Sequence, residues 1–259
     1  MTKFLNFEIF GNKNPSTPIV ICHGLLGNLK NWYSVANSLE KLNKKVVLLD
    51  MRNHGNSFWN ESHTYENLAN DILNTVSIFD EKINLVGHSM GGKAAMYFAC
   101  KHGNLLNKLV VVDIAPSKYK VKWNDLFKNL FLCDYQKILK RTDFEKYLHL
   151  KGYEKEICLF LSQNLIKNND GYYKLKFNLK AIHKNLKKIS SFPKSLDCFY
   201  GRTLFIKGEK SNYIKDDNLK VILKLFPNYK LEVINNAGHW VHFDKRITFQ
   251  ERLLNFLES

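Results

Sequence analysis

The sequence contains no run of 18 apolar residues, and its first residues show no apolar stretch followed by a small-residue cleavage site. Both a membrane-spanning helix and a secretory leader require such segments. The five cysteines are widely scattered and include no C-x-x-C pair, which argues against a disulfide framework or a zinc site. We therefore expect a cytoplasmic protein in a reducing compartment, with no membrane span.

Arginine is also scarce, because the 39 basic residues comprise 34 lysines and 5 arginines. The formal net charge of +15 suggests an anionic partner. However, arginine is the preferred residue for bidentate contacts to phosphates and bases, so this surplus of lysine does not predict nucleic-acid binding. Residues 116–200 carry 18 basic and 8 acidic side chains. This local excess either attracts an anionic substrate or reflects compositional drift in an A/T-rich coding sequence.

What the chain does contain is an alternation of short apolar runs with helical patterns. This alternation predicts an α/β protein with a mostly parallel sheet and helices on both faces. The predicted strands are 18–22, 45–50, 83–86, 108–113, 203–208 and 230–234. The predicted helices are about 31–42, 65–79, 93–102, 216–226 and 247–257.

Between about residues 116 and 193 the pattern changes to aromatic residues at helical spacing, without Val/Ile-rich runs. We interpret this stretch as an all-helical insertion. The predicted organisation is a core formed by residues 1–115 and 201–259, with a helical cap at residues 116–200.

Ser89 lies in the motif Gly-His-Ser-Met-Gly, directly after a predicted strand and before a predicted helix. A serine at a sharp strand-to-helix turn needs neighbours without Cβ, since the chain is strained and closely packed there. The helix N-terminus favours developing negative charge. The pattern predicts a nucleophile elbow.

A serine nucleophile needs a base, which must in turn be oriented by an acid. Among the nine histidines, His239 is the candidate base, because it follows the last predicted strand at the carboxyl edge of the sheet. We expect His23, His88 and His242 to support loops or packing. Asp113, which ends a strand, is the preferred acid. The alternatives near the next strand are Glu209, Asp216 and Asp217.

An oxyanion hole needs two backbone N–H groups that point at one oxygen. Met90, the residue after the candidate nucleophile, is expected to supply the first. Leu25, in the glycine-flanked loop 23–27 after the first core strand, is expected to supply the second.

Together these motifs resemble the α/β-hydrolase superfamily, and within it the YbfF-type bacterial esterase group. The strings that carry the resemblance are His23–Gly27, Asp50–Ser57, Gly87–Lys93, Asp113–Pro116 and Gly238–His242. The resemblance implies an α/β-hydrolase fold with a helical cap inserted after the sixth strand. It also places the acid after that strand, which matches Asp113. The position after the next strand, where a carboxylate is commoner, is occupied here by Ser211. The chain departs from the group after His242, where the usual proline is absent.

The residues and the resemblance together predict a serine carboxylester hydrolase, either an esterase or an acyl-thioesterase. The expected partner is a small-molecule acyl ester or thioester, and the expected state is a monomer or small homo-oligomer. The chemistry needs no metal or organic cofactor. A C–C bond hydrolase with the same triad, and a non-catalytic binding protein with this fold, are the alternatives.

Overall fold

The computed structural model describes residues 3–11, 16–120 and 123–259. The strands are β1 (Phe7–Phe10), β2 (Ile19–Cys22), β3 (Val46–Leu49), β4 (Ile83–His88), β5 (Leu106–Val112), β6 (Leu165–Lys167), β7 (Tyr173–Leu175), β8 (Thr203–Gly208) and β9 (Tyr229–Ile234). The helices are α1 (Tyr33–Glu40), α2 (Tyr65–Val76), α3 (Met90–His102), α4 (Asn124–Leu132), α5 (Arg141–Leu150), α6 (Lys155–Ser162), α7 (Leu179–Lys184), α8 (Leu186–Ser190), α9 (Asp216–Leu225), α10 (Val241–Asp244) and α11 (Arg246–Glu258). None of the described helices is long and apolar enough to cross a membrane.

In the part of the chain that the structure describes, seven strands form the central sheet in the order β1-β3-β2-β4-β5-β8-β9. Its pairs are parallel except for β1, which pairs antiparallel with β3. Every residue of β2, β3 and β4 is buried, as expected for strands covered on both faces. The predicted α/β-hydrolase fold, with a mostly parallel sheet between helices, is confirmed.

The two faces of the sheet carry different apolar layers. On one face the strand side chains pack with α1 and α11, through residues such as Val35, Leu39 and Phe249. On the other face they pack with α2 and α3, through residues such as Leu68, Ile72 and Met96. Because β2, β3, β4, β5, β8 and β9 run parallel, they end at one common edge of the sheet, and the loops that follow them meet there.

The predicted strands of the sheet agree with the observed ones within two residues. The sequence analysis did not predict β1 or the single-turn α10, since four residues carry too little periodicity. The strand that ends before Asp113 is the fifth in chain order here, although the resemblance implies the sixth. Its place in the sheet, between β4 and β8, is the one that matters for the site.

The prediction that the insertion is all-helical was wrong. Between β5 and β8 the chain forms α4 to α8 but also the antiparallel pair β6–β7. Each of these strands has three residues, too few to give a Val/Ile-rich run. The turn that joins them includes Gly171 at φ +83°, a backbone conformation that favours glycine. Leu165 and Leu175, which pair across the hairpin, are both buried.

Candidate active site

The turn between β4 and α3 carries Ser89 at φ +53° and ψ −115°. Non-glycine residues rarely adopt a positive φ, and such strain persists only where the surroundings enforce it. A Cβ on Gly87 would lie 2.4 Å from the carbonyl oxygen of Gly91. A Cβ on Gly91 would lie 2.4 Å from the carbonyl oxygen of Cys22. The close packing of the turn thus explains why glycine stands on both sides of Ser89.

His239, in the loop between β9 and α10, lies within hydrogen-bond distance of both Ser89 and Asp113. Its Nε2 is 3.1 Å from the Ser89 Oγ. Its Nδ1 is 2.7 Å from the Asp113 Oδ2. Because a carboxylate only accepts, Nδ1 carries the proton and Nε2 accepts from the serine hydroxyl. The arrangement can move a proton from the hydroxyl to the imidazole.

Asp113 follows β5 at φ +51° and is fully buried. Its Oδ1 accepts a hydrogen bond from the backbone N–H of Gly208 at 3.0 Å. Its Oδ2 accepts from the Ser211 hydroxyl and from His239. Three donors stabilise a negative charge that burial would otherwise disfavour.

The three alternative acids lie elsewhere. Glu209 is exposed, and its carboxylate accepts a hydrogen bond from the backbone N–H of Asn236 at 2.7 Å. Asp216 and Asp217 are exposed in the first turn of α9. The structure therefore brings Asp113, and none of these three, to His239.

Sequence reasoning missed two contacts of the site. It noted Ser211 only as the absence of a carboxylate, whereas its hydroxyl donates to Asp113. The position, three residues after the strand-ending Gly208, was the available signal. It gave no role to Tyr213, whose ring stacks on the imidazole of His239 with centroids 4.0 Å apart. Together these side chains fix the orientation of the carboxylate and of the ring.

The loop of residues 23–27 lies against the serine turn, since a Cβ on Gly24 would be 3.3 Å from the Ser89 Cβ. Leu26 adopts φ +59°, and its N–H donates to the Nε2 of His54 at 3.1 Å. Its carbonyl accepts from the Asn164 side chain at 2.9 Å. Leu25 and Met90, the candidate oxyanion donors, line the same cavity as Ser89.

Buried histidines support these loops in fixed tautomers. His23 donates through Nδ1 to the Gly24 carbonyl at 2.8 Å and accepts the Met51 N–H through Nε2 at 3.0 Å. His88 donates to the carbonyl of His239 at 2.9 Å. Desolvation by burial lowers the pKa of His23 to about 4, of His54 to about 3 and of His242 to about 3. It also lowers the pKa of His88 well below 6.5. These rings are therefore neutral at pH 7.

We expect the free energy of unfolding to fall by at least about 3 kcal/mol between pH 7 and pH 5. The unfolded histidines take up protons near pH 6.5, whereas the folded ones do so only near pH 3 to 4. Their contribution is complete above pH 6.5 and is lost as the pH falls. Urea unfolding at pH 7, 6 and 5 measures this slope, and a flat or opposite dependence would contradict it.

His242→Phe provides a matched variant, because His242 stacks on Trp32 at 4.0 Å and its Nδ1 has no hydrogen-bond partner among the described residues. The substitution keeps the ring stack and removes one titrating group. Below pH 6.5, the unfolding free energy of this variant should depend less steeply on pH than that of the wild type. The difference corresponds to the uptake of one proton, or up to about 1.4 kcal/mol per pH unit.

Lys93, in α3, is 2% exposed and donates to three carbonyl oxygens. The acceptors are Ser117 at 2.7 Å, Ser190 at 3.2 Å and Ser191 at 3.0 Å. The ring of Tyr119 also faces the ammonium, with its centroid 4.7 Å from Nζ. One side chain therefore ties both ends of the 116–200 segment to the helix that follows Ser89. Burial lowers the pKa of Lys93 to about 7.

Replacement of Lys93 by methionine should change how stability depends on alkaline pH. Between pH 7 and about 10 the unfolded lysine is protonated while the folded one is not, so folding in the wild type is favoured as the pH rises. We expect the wild-type slope to exceed that of Lys93→Met by up to about 1.4 kcal/mol per pH unit. Urea unfolding at pH 7, 8 and 9 tests this difference. Equal slopes would place the pKa of Lys93 outside this range.

Two cavities share Leu25, Ser89 and Trp123. The narrow cavity, about 140 Å³, is further lined mainly by apolar and aromatic side chains: Tyr65, Met90, Ile114, Leu186, Ile189 and Tyr213. The wide cavity, about 420 Å³, is further lined by residues including Lys30, Trp32, Leu159, Phe160, His239 and Trp240. Ser89 is thus accessible from two spaces of unequal size.

Comparison with known proteins gives relatives along almost the whole chain. The chain is 36% identical to the sn-1-specific diacylglycerol lipase ABHD11 of Danio rerio, over 98% of this chain and 82% of that protein. It is 30% identical to the esterase YbfF of Escherichia coli, over 90% of each. A solved structure of a marine microorganism esterase superposes with a TM-score of 0.94 at 35% identity, over 98% of this chain and 99% of that one.

The sequence profile of the α/β hydrolase fold matches residues 17–246. This match covers most of the chain, and the relatives are named lipases and esterases. The chain therefore belongs to the α/β-hydrolase family and is related to its YbfF-type esterases.

Proposed function

We propose that this protein is a serine carboxylester hydrolase that works through an acyl-enzyme. The observation that carries the proposal is the continuous hydrogen-bonded chain from Ser89 through His239 to Asp113, beside two cavities. The names of its relatives, which include esterases and lipases, support ester substrates.

In the acylation step the Ser89 Oγ attacks the acyl carbon while His239 Nε2 accepts the hydroxyl proton. The carboxylate of Asp113 holds the imidazole in the reactive tautomer and stabilises the imidazolium. The tetrahedral intermediate then collapses, and His239 returns the proton to the departing alcohol or thiol. A water molecule, activated by His239, hydrolyses the acyl-enzyme and restores the serine.

The backbone N–H groups of Leu25 and Met90 are proposed to hold the oxyanion. Met90 is the first residue of α3, so its amide points from a helix N-terminus. The loop of Leu25 is held beside Ser89 by the His54 and Asn164 contacts. Donors fixed in this way need little reorganisation when charge develops.

Residues 116–200 are proposed to form a cap over the core at 1–115 and 201–259. Trp123 lines both cavities, and Leu159 and Phe160 line the wide one. Side chains of the segment thus line the space beside Ser89 in which we propose that the ester binds. The β6–β7 hairpin belongs to this proposed cap.

Reaction with a fluorophosphonate tests the nucleophile directly. The probe should add to a single residue, identified as Ser89 by peptide mass spectrometry, and should abolish hydrolysis of p-nitrophenyl acetate. Modification of another serine, or full activity after complete labelling of Ser89, would refute the proposal.

A thioester substrate with an anionic carrier is the second form of the proposed activity, and it depends on the excess of basic residues at 116–200. Surface charges act mainly on encounter rates and are screened within about 8–10 Å at physiological salt. The kcat/KM for acyl-CoA should therefore fall severalfold between 20 and 200 mM salt, while that for a neutral short-chain ester stays constant. Equal salt dependence would assign the lysines to solvated surface.

A further inference from the structure

The two cavities at Ser89 differ in their access to His239. Of the described residues around Ser89, His239 lines only the wide cavity, whereas Met90 lines only the narrow one. Tyr213 lines the narrow cavity and stacks on the His239 ring, with centroids 4.0 Å apart. The phenol ring thus stands between the imidazole and the narrow space.

This asymmetry has a chemical consequence for the proposed reaction. When the bond between the acyl carbon and the leaving oxygen or sulfur breaks, the electron pair stays on the leaving atom. That atom takes the proton that His239 Nε2 holds. The leaving group must therefore occupy the space that reaches His239. The acyl chain extends from the same carbon into the other space.

We infer that the wide cavity binds the alcohol or thiol part of the substrate and the narrow cavity binds the acyl chain. This inference rests on the proposed function and assigns the substrate class, namely esters with a slender acyl chain and a bulky leaving group. The volumes are about 140 Å³ on the acyl side and about 420 Å³ on the leaving-group side. Trp32, Phe160 and Trp240 offer the wide side broad apolar contact.

The narrow cavity has a defined end. Lys93 lines it but already donates to three carbonyls, so its ammonium is not available to a ligand. Lys120 and Asn212, which also line it, are exposed. A chain that passes them re-enters water and gains nothing from further methylenes.

Two ester series measure the two cavities separately. Ethyl esters of C2 to C12 acids vary the acyl chain, and acetate esters of C2 to C12 alcohols vary the leaving group. Each buried methylene should raise kcat/KM by about fourfold until the cavity is filled. Hydrolysis is followed by pH-stat titration, and kcat/KM reports the acylation step. We expect the acyl series to stop gaining at a shorter chain than the alcohol series.

Substitutions at Ile189, in the wall of the narrow cavity, and at Leu159, in the wall of the wide one, should each affect only one of the two ester series. Ile189→Phe should shorten the acyl chain beyond which kcat/KM no longer rises, and Ile189→Ala should lengthen it. Neither variant should change the corresponding chain length in the alcohol series. Leu159→Trp and Leu159→Ala should do the same for the alcohol series alone. Leu150→Ala is the control, because Leu150 is 85% exposed on α5 and lines neither cavity.

The outcomes distinguish this inference from the proposed function. The assignment would be overturned, with hydrolysis intact, if kcat/KM stopped rising at a shorter chain in the alcohol series than in the acyl series. It would also be overturned if the Ile189 variants changed that chain length only in the alcohol series. If no ester of either series is hydrolysed and Ser89 resists the fluorophosphonate, the proposed function itself fails.

Discussion

Ser89→Ala should reduce kcat/KM for p-nitrophenyl esters by about 10⁴-fold or more, without loss of the fold. The substitution removes only the Oγ that lies 3.1 Å from His239 Nε2. Alanine keeps the Cβ that the turn already accommodates at φ +53°. The rates are measured with the purified variant, together with its circular dichroism.

Ser38→Ala is the matched control, because this half-buried serine of α1 lines neither cavity and its hydroxyl donates to the carbonyl of Ser34 at 3.0 Å. It should keep wild-type rates and fluorophosphonate labelling. Near-normal turnover by a natively folded Ser89→Ala would rule out the acyl-enzyme at this residue.

Asp113→Asn should lower kcat/KM by at least about a hundredfold. If the amide turns its N–H₂ towards His239, Nδ1 must accept and the neutral imidazole carries its proton on Nε2. If the amide turns its oxygen towards His239, that oxygen lacks the negative charge of the carboxylate. The buried carboxylate also accepts from Gly208 and Ser211, so the amide leaves a donor unmatched. Steady-state kinetics over pH 6 to 9, with an unfolding curve for each variant, measures the effect.

Glu209→Gln, Asp216→Asn and Asp217→Asn are the comparison variants, since these three carboxylates are exposed. Each should cost far less activity than Asp113→Asn. A larger loss in any one of them would identify that residue, rather than Asp113, as the acid.

The sequence predicted the sheet and the positions of the candidate site because both depend on local patterns. Continuous apolar runs such as Val46–Leu49 mark strands buried on both faces. Parallel strands end at one edge, so Ser89, Asp113 and His239, each placed after a strand, were expected to meet. The contact distances agree with that expectation.

Other contacts between residues that are far apart along the chain were not predicted, because at least one partner does not follow a strand of the sheet in a recognisable motif. No local pattern indicates that the Tyr213 ring stacks on His239 or that Lys93 reaches the Ser190 carbonyl. The β6–β7 hairpin escaped detection for another reason, because strands of three residues carry no measurable period. The sizes of the cavities depend on side chains from several elements and cannot be derived from any one motif.

The three hydrogen bonds of Lys93 hold the beginning of the 116–200 segment close to residues near its end. The carbonyls of Ser117 and Ser190 both contact the same ammonium, and the backbone N–H of Tyr119 donates to the Ser190 carbonyl at 2.8 Å. The chain between Ser117 and Ser190 is therefore a closed loop at the edge where β5 ends, and residues 191–202 return the chain to the start of the parallel strand β8. Doubling the length of such a closed loop adds only about 0.6 kcal/mol of closure cost. The segment can thus be lengthened or shortened at little cost in loop closure, while the sheet edge that carries Ser89, Asp113 and His239 keeps its geometry.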